Sequence, residues 1–373
     1  FLQSLPLASP PLHSISVIPS SFCAPLRSST PHPRAVVPAS PPVSVLLPVR
    51  DGDEHLPEAI ASIEEQSFAD FEVVAVDDGS TDGTYEILSA WASRDERVHV
   101  LKAAPTGIVG ALEQARADAK GRYLARMDAD DISEPNRFQA QFDLLEARQD
   151  LAIVGCGVEY FPRDSVRDGA LRYEAWMNTP ITPHDIEREI FVECPLAHPA
   201  FFMRASAVAE VDGYRDLGWP EDYDLVLRLW RAGWGLGKVP ELLLRWREGP
   251  NRLSRIDPRY APDAFRRCRV HHLVRSFPSL SGGVVIWGAG PVGKSLSRAL
   301  AEEGVPVRAF AEVNPRKIGQ EIHDAPVLDT AQSLAMTGVF HLGSVGQKGV
   351  REQLRDILSG AGLEELKNFV LMA

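Results

Sequence analysis

The chain reads as an α/β protein built on parallel sheets, in two ordered domains that follow a Pro/Ser-rich start. Three observations predict this. Its 373 residues suit two domains better than one. Short apolar runs alternate with helix-length amphipathic segments, the pattern of βα units whose sheet is covered on both faces. The composition, 45% hydrophobic and 24% charged, is that of a chain with a real core.

Taken in order, residues 1–42 hold 10 of the 29 prolines, 9 serines and no Asp or Glu. Such a segment cannot bury enough apolar surface to offset its ordering entropy, so a disordered tail is expected. Its serial prolines spoil an amphipathic targeting helix, and no signal-peptide apolar core follows a basic start. Because the chain does not open on Met, its true start is expected to be missing or misassigned. A first domain spans 43–278. Val43–Val49 is a strand, and Leu56, Ile60 and Ile63 predict a helix over 54–66. A strand over 71–76 ends in Asp77-Asp78-Gly79-Ser80, followed by a helix over 81–91. Then come a strand over 98–101, a helix over 108–119 and a strand over 123–127. After Phe161 the alternation breaks up into a strand over 198–203, a helix over 222–232, a strand over 242–246 and a helix over 261–274. Residues 279–283 read as a linker, and Val284–Trp287 opens a second domain, 279–373, with room for three or four strands.

Charge and cysteine usage exclude several function classes. The net charge is 39 − 51 = −12 with neutral histidines, so general binding to nucleic-acid phosphate is not expected. No apolar run approaches the ~18 residues of a membrane span. Cys23, Cys156, Cys194 and Cys268 are far apart and form no CxxC pair, which argues against a disulfide scaffold or zinc knuckle and for a reducing, cytoplasmic setting.

Ligands of parallel sheets bind beyond the carboxyl ends of the strands, and clusters of acids sit at two such ends. Asp128-Ala-Asp130-Asp131 is either a turn capping the next helix, with Arg126 or Arg137 as a basic neighbour, or a site for Mg²⁺ or Mn²⁺, which favour carboxylate oxygens. Asp77-Asp78 is either a turn around a left-handed Gly79 or an acceptor for a base or ribose. Glu221-Asp222 at the start of a helix either compensates its dipole or supplies a general base.

Together these pieces resemble the family 2 glycosyltransferases with a GT-A fold. The matching segments are Val43-Ser-Val-Leu-Leu-Pro-Val-Arg50, Gln66-Ser-Phe-Ala-Asp-Phe-Glu72, Val76-Asp-Asp-Gly-Ser-Thr-Asp-Gly-Thr84, Met127-Asp-Ala-Asp-Asp131 with Pro135 and Arg137, His198-Pro199, and Glu221-Asp-Tyr-Asp-Leu225. The resemblance covers roughly 43–255. It implies transfer of a sugar from a nucleotide-diphosphate donor to a hydroxyl acceptor with inversion, in cell-surface polysaccharide or glycolipid synthesis. It implies that Asp78 contacts the base with Asp77 beside it, that Pro48 and Arg50 line the same pocket, and that Asp128 and Asp130 are the DxD pair, with Asp130 the metal ligand. Asp222 would be the catalytic base and Glu221 its support. His198 falls near the acceptor by the same pattern. The sequence departs from the family at Gly249, where a His is expected, and at Glu113, where relatives often carry Asn; Arg247 remains to pair with phosphate.

The second domain holds Gly288-Ala-Gly290-Pro-Val-Gly293-Lys294-Ser295, which fits both a dinucleotide-type turn and a P-loop. Glu312 closes the next strand, as the first pattern asks, whereas no apolar strand ending in Asp serves the second. A Rossmann-like reading is therefore favoured, with Gly288, Gly290, Gly293 and Glu312 as an accessory phosphate loop. It resembles the small Rossmann-like domains attached to sugar-modifying enzymes. Two other functions stay open: a catalytically silent sugar-nucleotide sensor, and an NAD-dependent oxidoreductase, which lacks a visible catalytic Tyr-Lys or His-Asp arrangement. The expected partners are a nucleotide-sugar donor and a saccharide or lipid-linked acceptor, the latter met at the inner face of the membrane.

Overall fold

The computed structural model describes residues 40–249, 252–347 and 349–373; the tail expected over 1–42 falls outside them except for 40–42. The first sheet contains β1 (Val43–Val49), β2 (Phe71–Asp78), β3 (Val98–Ala103), β4 (Tyr123–Arg126), β5 (Ile132–Ser133), β6 (Leu151–Phe161), β7 (Phe202–Arg204) and β8 (Gly235–Arg247). Their order is β3-β2-β1-β4-β7-β6-β8-β5. The block β3-β2-β1-β4 is parallel. β7 runs antiparallel to both its neighbours, β6 and β8 are parallel, and β5 is antiparallel to β8. Every residue of β1 and β2 is buried, as expected of strands covered on both faces. Successive side chains point to opposite faces. Val43, Val45 and Leu47 pack with the Leu56–Glu64 helix in one core, while Leu46, Val74 and Val76 pack with Leu112 of the Gly107–Asp118 helix in another.

The second sheet contains β9 (Val284–Trp287), β10 (Val307–Ala311), β11 (Glu321–Ile322), β12 (Ala325–Leu328), β13 (Phe340–Gly343) and β14 (Phe369–Leu371), in the order β11-β12-β10-β9-β13-β14. All its pairings are parallel except β11–β12. It therefore holds six strands rather than three or four, because strands of two to five residues fit more into the same length. One apolar core is continuous from the first sheet through Cys268, Leu273 and Phe277 of the Pro262–Ser276 helix to Val284, Ile286 and Leu342. Ion pairs join the same two parts: Glu189 takes Arg351 at 2.8 Å and Arg355 at 3.1 Å, and Glu365 takes Arg188 at 2.9 Å.

Some elements differ from expectation for local reasons. The strand expected over 198–203 begins as a 3-10 turn, His198–Ala200, before β7, because Pro199 has a fixed φ and no N–H to pair. The linker over 279–283 is a 3-10 turn, Pro278–Gly282, anchored by buried Leu280. The helix expected from 81 starts at Thr84, since residues 80–83 are bonded to the 51–53 loop. After the Asp128–Asp131 cluster comes β5, and the next helix starts at Arg137 rather than near Ser133.

Candidate active site

The parallel register brings the ends of β1, β2 and β4 to one rim. Pro48 is buried in β1 opposite Val76, and Arg50 is exposed just past its end, 3.8 Å from Asp51. Asp51 adopts φ +48° and accepts from the Thr81 amide at 2.7 Å, locking the two loops together. Gly79 has φ +72°, and a Cβ there would lie 2.7 Å from Pro105, so this turn needs glycine twice over. Asp78 accepts from the Thr106 amide at 2.6 Å, the Thr106 hydroxyl at 2.9 Å and the Gly107 amide at 2.9 Å. It thereby caps the Gly107–Asp118 helix. Asp77 accepts from the Ser80 amide at 3.1 Å, while its Oδ2 is buried without a partner. Of the two, Asp77 carries the unused acceptor.

Asp128, Asp130 and Asp131 bring carboxylate oxygens within 4.8 Å of one another. Arg126, fully buried at the end of β4, donates to Asp128 at 2.6 Å, but its Nε and Nη1 have no partner. Asp131 accepts from the Arg247 amide at 2.7 Å, and its Oδ2 is likewise unpaired. Burial and the Asp128 charge push the Asp130 carboxyl upward. Burial and both neighbouring acids push Asp131 well above the carboxylate range. Arg247, on β8, donates from Nε to the Asp130 carbonyl at 2.6 Å and pairs with Glu58. β5–β8 pairing holds it there. Where a His was expected stands Gly249, with open space around it.

Across the rim, the Glu221–Arg231 helix presents Glu221 and Asp222 in its first turn. Glu221 is completely buried and accepts from Tyr260 at 2.8 and 2.9 Å. Its Oε1 lies 3.6 Å from His198 Nδ1, and Arg259 is 3.8 Å away. His198 shares a 3.1 Å hydrogen bond with Tyr214; burial and the nearby Arg126 charge hold its imidazole well below the usual range, so it is neutral. Asp222 accepts from the Tyr223 amide at 2.7 Å. Burial, then the Glu221 and Glu193 charges, raise its pKa to about 8. The result is one partly exposed carboxyl poised to exchange a proton beside one that is fixed and buried.

Glu113, the other departure, accepts from Arg116 at 2.6 Å and from the Tyr214 amide at 2.6 Å, so it fixes the loop that carries the His198 partner. In the second sheet Gly288 has φ +113°, and a Cβ on Gly293 would collide with the Gly288 carbonyl. Gly290 has open space. Glu312 follows β10. Burial alone would raise its carboxyl, but Lys317 at 2.8 Å and the Val313 and Asn314 amides outweigh that and hold it low.

Several site residues escaped the sequence reading, among them Tyr214, Arg259, Tyr260 and Arg252. Tyr260, which holds Glu221, lies 39 positions away with no periodic signal. Arg252 stacks on Trp246 and Tyr160 at 4.3 and 5.4 Å, and its charge lowers the carboxyls of Asp130 and Asp131. Only an excess of arginines from Arg245 to Arg259 hinted at it.

With this geometry in view, residues 44–211 match the family model for glycosyl transferase family 2. EpsE, a putative glycosyltransferase of Bacillus subtilis, is 30% identical over 241 residues, covering 62% of this chain and 83% of its own. AmsE, an amylovoran biosynthesis glycosyltransferase of Erwinia amylovora, is 25% identical over 215 residues, covering 57% and 78%. Among solved structures, TarS 1–349 of S. aureus aligns with a TM-score of 0.49 at 16% identity, over 62% of this chain and 65% of that one. The chain belongs to glycosyltransferase family 2 and is a glycosyltransferase with an α/β GT-A-type fold.

Proposed function

We propose that this glycosyltransferase moves a sugar from a nucleoside-diphosphate donor to a hydroxyl of a saccharide or lipid-linked acceptor, with inversion at the anomeric carbon, during assembly of a surface polysaccharide or glycolipid. One observation carries the reading. Among the described residues nine buried side-chain nitrogen or oxygen atoms lack a partner, and four of them (Asp77 Oδ2, Arg126 Nε, Arg126 Nη1 and Asp131 Oδ2) belong to this one rim. Buried polar atoms left unpaired cost about 1–3 kcal/mol each, and such a concentration is what a ligand-binding site requires. AmsE, by its name, serves amylovoran biosynthesis, which supports the polysaccharide setting.

In this reading Pro48, Arg50 and Asp77 line the nucleotide pocket, Asp78 shapes its wall by holding the Thr106 and Gly107 amides, and Asp128 and Arg247 border the diphosphate. The three close carboxylates are a hard oxygen donor set that suits Mn²⁺ or Mg²⁺, with Asp130 and Asp128 as the protein ligands. A divalent ion held there supplies positive charge to the leaving diphosphate. Arg126 and Arg252 add fixed positive charge of the kind that stabilises developing anions. Asp222 takes the proton from the acceptor hydroxyl as its oxygen bonds to the anomeric carbon and the bond to the diphosphate oxygen breaks. Glu221, held by Tyr260 and facing neutral His198, keeps the first turn rigid and its charge keeps Asp222 basic.

The test is release of nucleoside diphosphate from UDP-, GDP- and dTDP-sugars with and without Mn²⁺, in the wild type, Asp130→Asn and Asp222→Asn. Metal-stimulated release that both variants abolish, with donor binding kept in Asp222→Asn, supports the proposal. Donor binding without turnover in any combination would make the protein a silent sensor. A thermal shift with NAD and with no diphosphate would move the function to Gly288–Gly293.

A further inference from the structure

We propose that the cleft between the two sheets is a second binding site, for a phosphate- or diphosphate-bearing ligand seated on the turn after β9 and on the arginines of the Pro262–Ser276 helix. The cleft encloses about 560 Å³, within the ~300–1,000 Å³ of small-molecule sites. In the second sheet the chain steps from β9 outward to β10 on one side and to β13 on the other, and ligands of such sheets bind outside the strand ends at that switch point. Both loops of the switch point, through Pro291 after β9 and Gly346 after β13, line this cleft.

The chemistry of the walls is that of an anion site. Arg266, Arg269 and Arg351 line it together with Glu193; Arg351 is held by Glu189 and Arg266 by Asp263, so Arg269 carries the free donor. Arg269 uses Nη1 on the Val192 and Met372 carbonyls, at 2.6 and 2.7 Å, while its Nε is buried with no partner. Burial and the Arg269 and Arg298 charges depress the Arg266 guanidinium, which is paired with Asp263. The 12-residue helix Pro291–Glu302 starts in the cleft with no side-chain cap on its first-turn amides, which favours an anion. Tyr173 and Trp176 form the facing wall, an apolar surface for a sugar or chain attached to the phosphate. A dinucleotide fits less well, because Glu312, the residue placed to read its ribose, is occupied by Lys317 and two amides and does not line the cleft. A phosphate-bearing acceptor is thus the ligand class; that role rests on the proposed function, whereas the anion site does not.

The experiment is calorimetric titration of inorganic pyrophosphate in EDTA into Asp130→Asn protein, which silences the first rim, with and without Arg266→Glu and Val292→Asp together. Both added positions are at the surface of the cleft, and an unchanged Tm reports intact folding. Saturable binding weakened at least tenfold by the double change is expected. No binding at millimolar pyrophosphate, unchanged affinity in the folded double variant, or NAD binding in preference to pyrophosphate would overturn the proposal. A short-chain prenyl diphosphate gives the source: tighter binding than pyrophosphate supports a lipid-linked acceptor, and equal binding supports a free anion at the same site. Pyrophosphate binding together with full turnover by Asp222→Asn would remove the base assignment and leave the anion site standing.

Discussion

Asp222→Asn separates stability from activity at this site. The Asp222 pKa rises from 3.8 to about 8 on folding, so the native state binds its proton more tightly than the unfolded chain. Between those values the unfolded carboxylate ionises while the folded one stays neutral. The stability it contributes is therefore fully present below about pH 4 and is lost as pH rises through about 8. At ~1.4 kcal/mol per pKa unit, four units set a ceiling of roughly 6 kcal/mol. Because Asp222 is partly solvated at the rim, we expect about half, ~3 kcal/mol. Asn removes this penalty, so the variant is the more stable protein at pH 8 and equal to the wild type at pH 4. With ~2.1 cal/mol/K of unfolding entropy per residue, ~3 kcal/mol is about 4 °C in a chain of this length. Turnover should fall by about 10²–10⁴, the usual worth of a general base, and wild-type turnover should rise with pH to a plateau above about 8. Thermal unfolding at pH 4 and 8 beside a pH–rate profile checks this. A variant no more stable than wild type at pH 8, or one with wild-type turnover, would refute the reasoning.

Other outcomes follow from the same geometry. Asp130→Asn relieves repulsion among three acids, so without metal it should melt at or above the wild-type temperature, and Mn²⁺ should no longer raise its Tm with nucleoside diphosphate. Tyr260→Phe removes the hydroxyl hydrogen bond shared by the two oxygens of a buried carboxylate, costing about 1.5–3 kcal/mol; denaturant unfolding reads the loss, and the pH–rate profile should shift. Gly293→Ala drives a Cβ into the Gly288 carbonyl, with no flexible side chain to yield. A loss of about 1–3 kcal/mol or more is expected, seen as a lower Tm. Arg126→Met leaves partly exposed Asp128 without its partner but also removes two unpaired buried donors, so its net cost should stay below about 3 kcal/mol, measured by urea unfolding.

Among the described residues no helix is long and apolar enough to cross a membrane.

Local sequence determined the βα rhythm, because all-apolar runs such as 43–49 and 71–76 can be stable only as strands buried on both faces, and amphipathic spacing needs one covered face. It determined the acid clusters too, since residues within four positions of one another at a strand end share a rim whatever else the fold does. The two glycine positions Gly288 and Gly293 were legible for the same reason: a tight strand-to-helix turn is a short-range constraint. What only the tertiary structure decided are the long-range pairings. Tyr260 reaching Glu221, Arg247 reaching Asp130 and Arg252 stacking beside the acid cluster span 39 to 122 positions. No spacing rule encodes them, because they arise when antiparallel β5–β8 pairing and the turns after β8 bring distant segments together. The same holds for Asp78, whose carboxylate the sequence offered to a nucleotide and the fold engages with the Thr106 and Gly107 amides. Charge repulsion and burial, which tune Asp222 and the Asp128–Asp131 cluster, likewise exist only once the chain has folded.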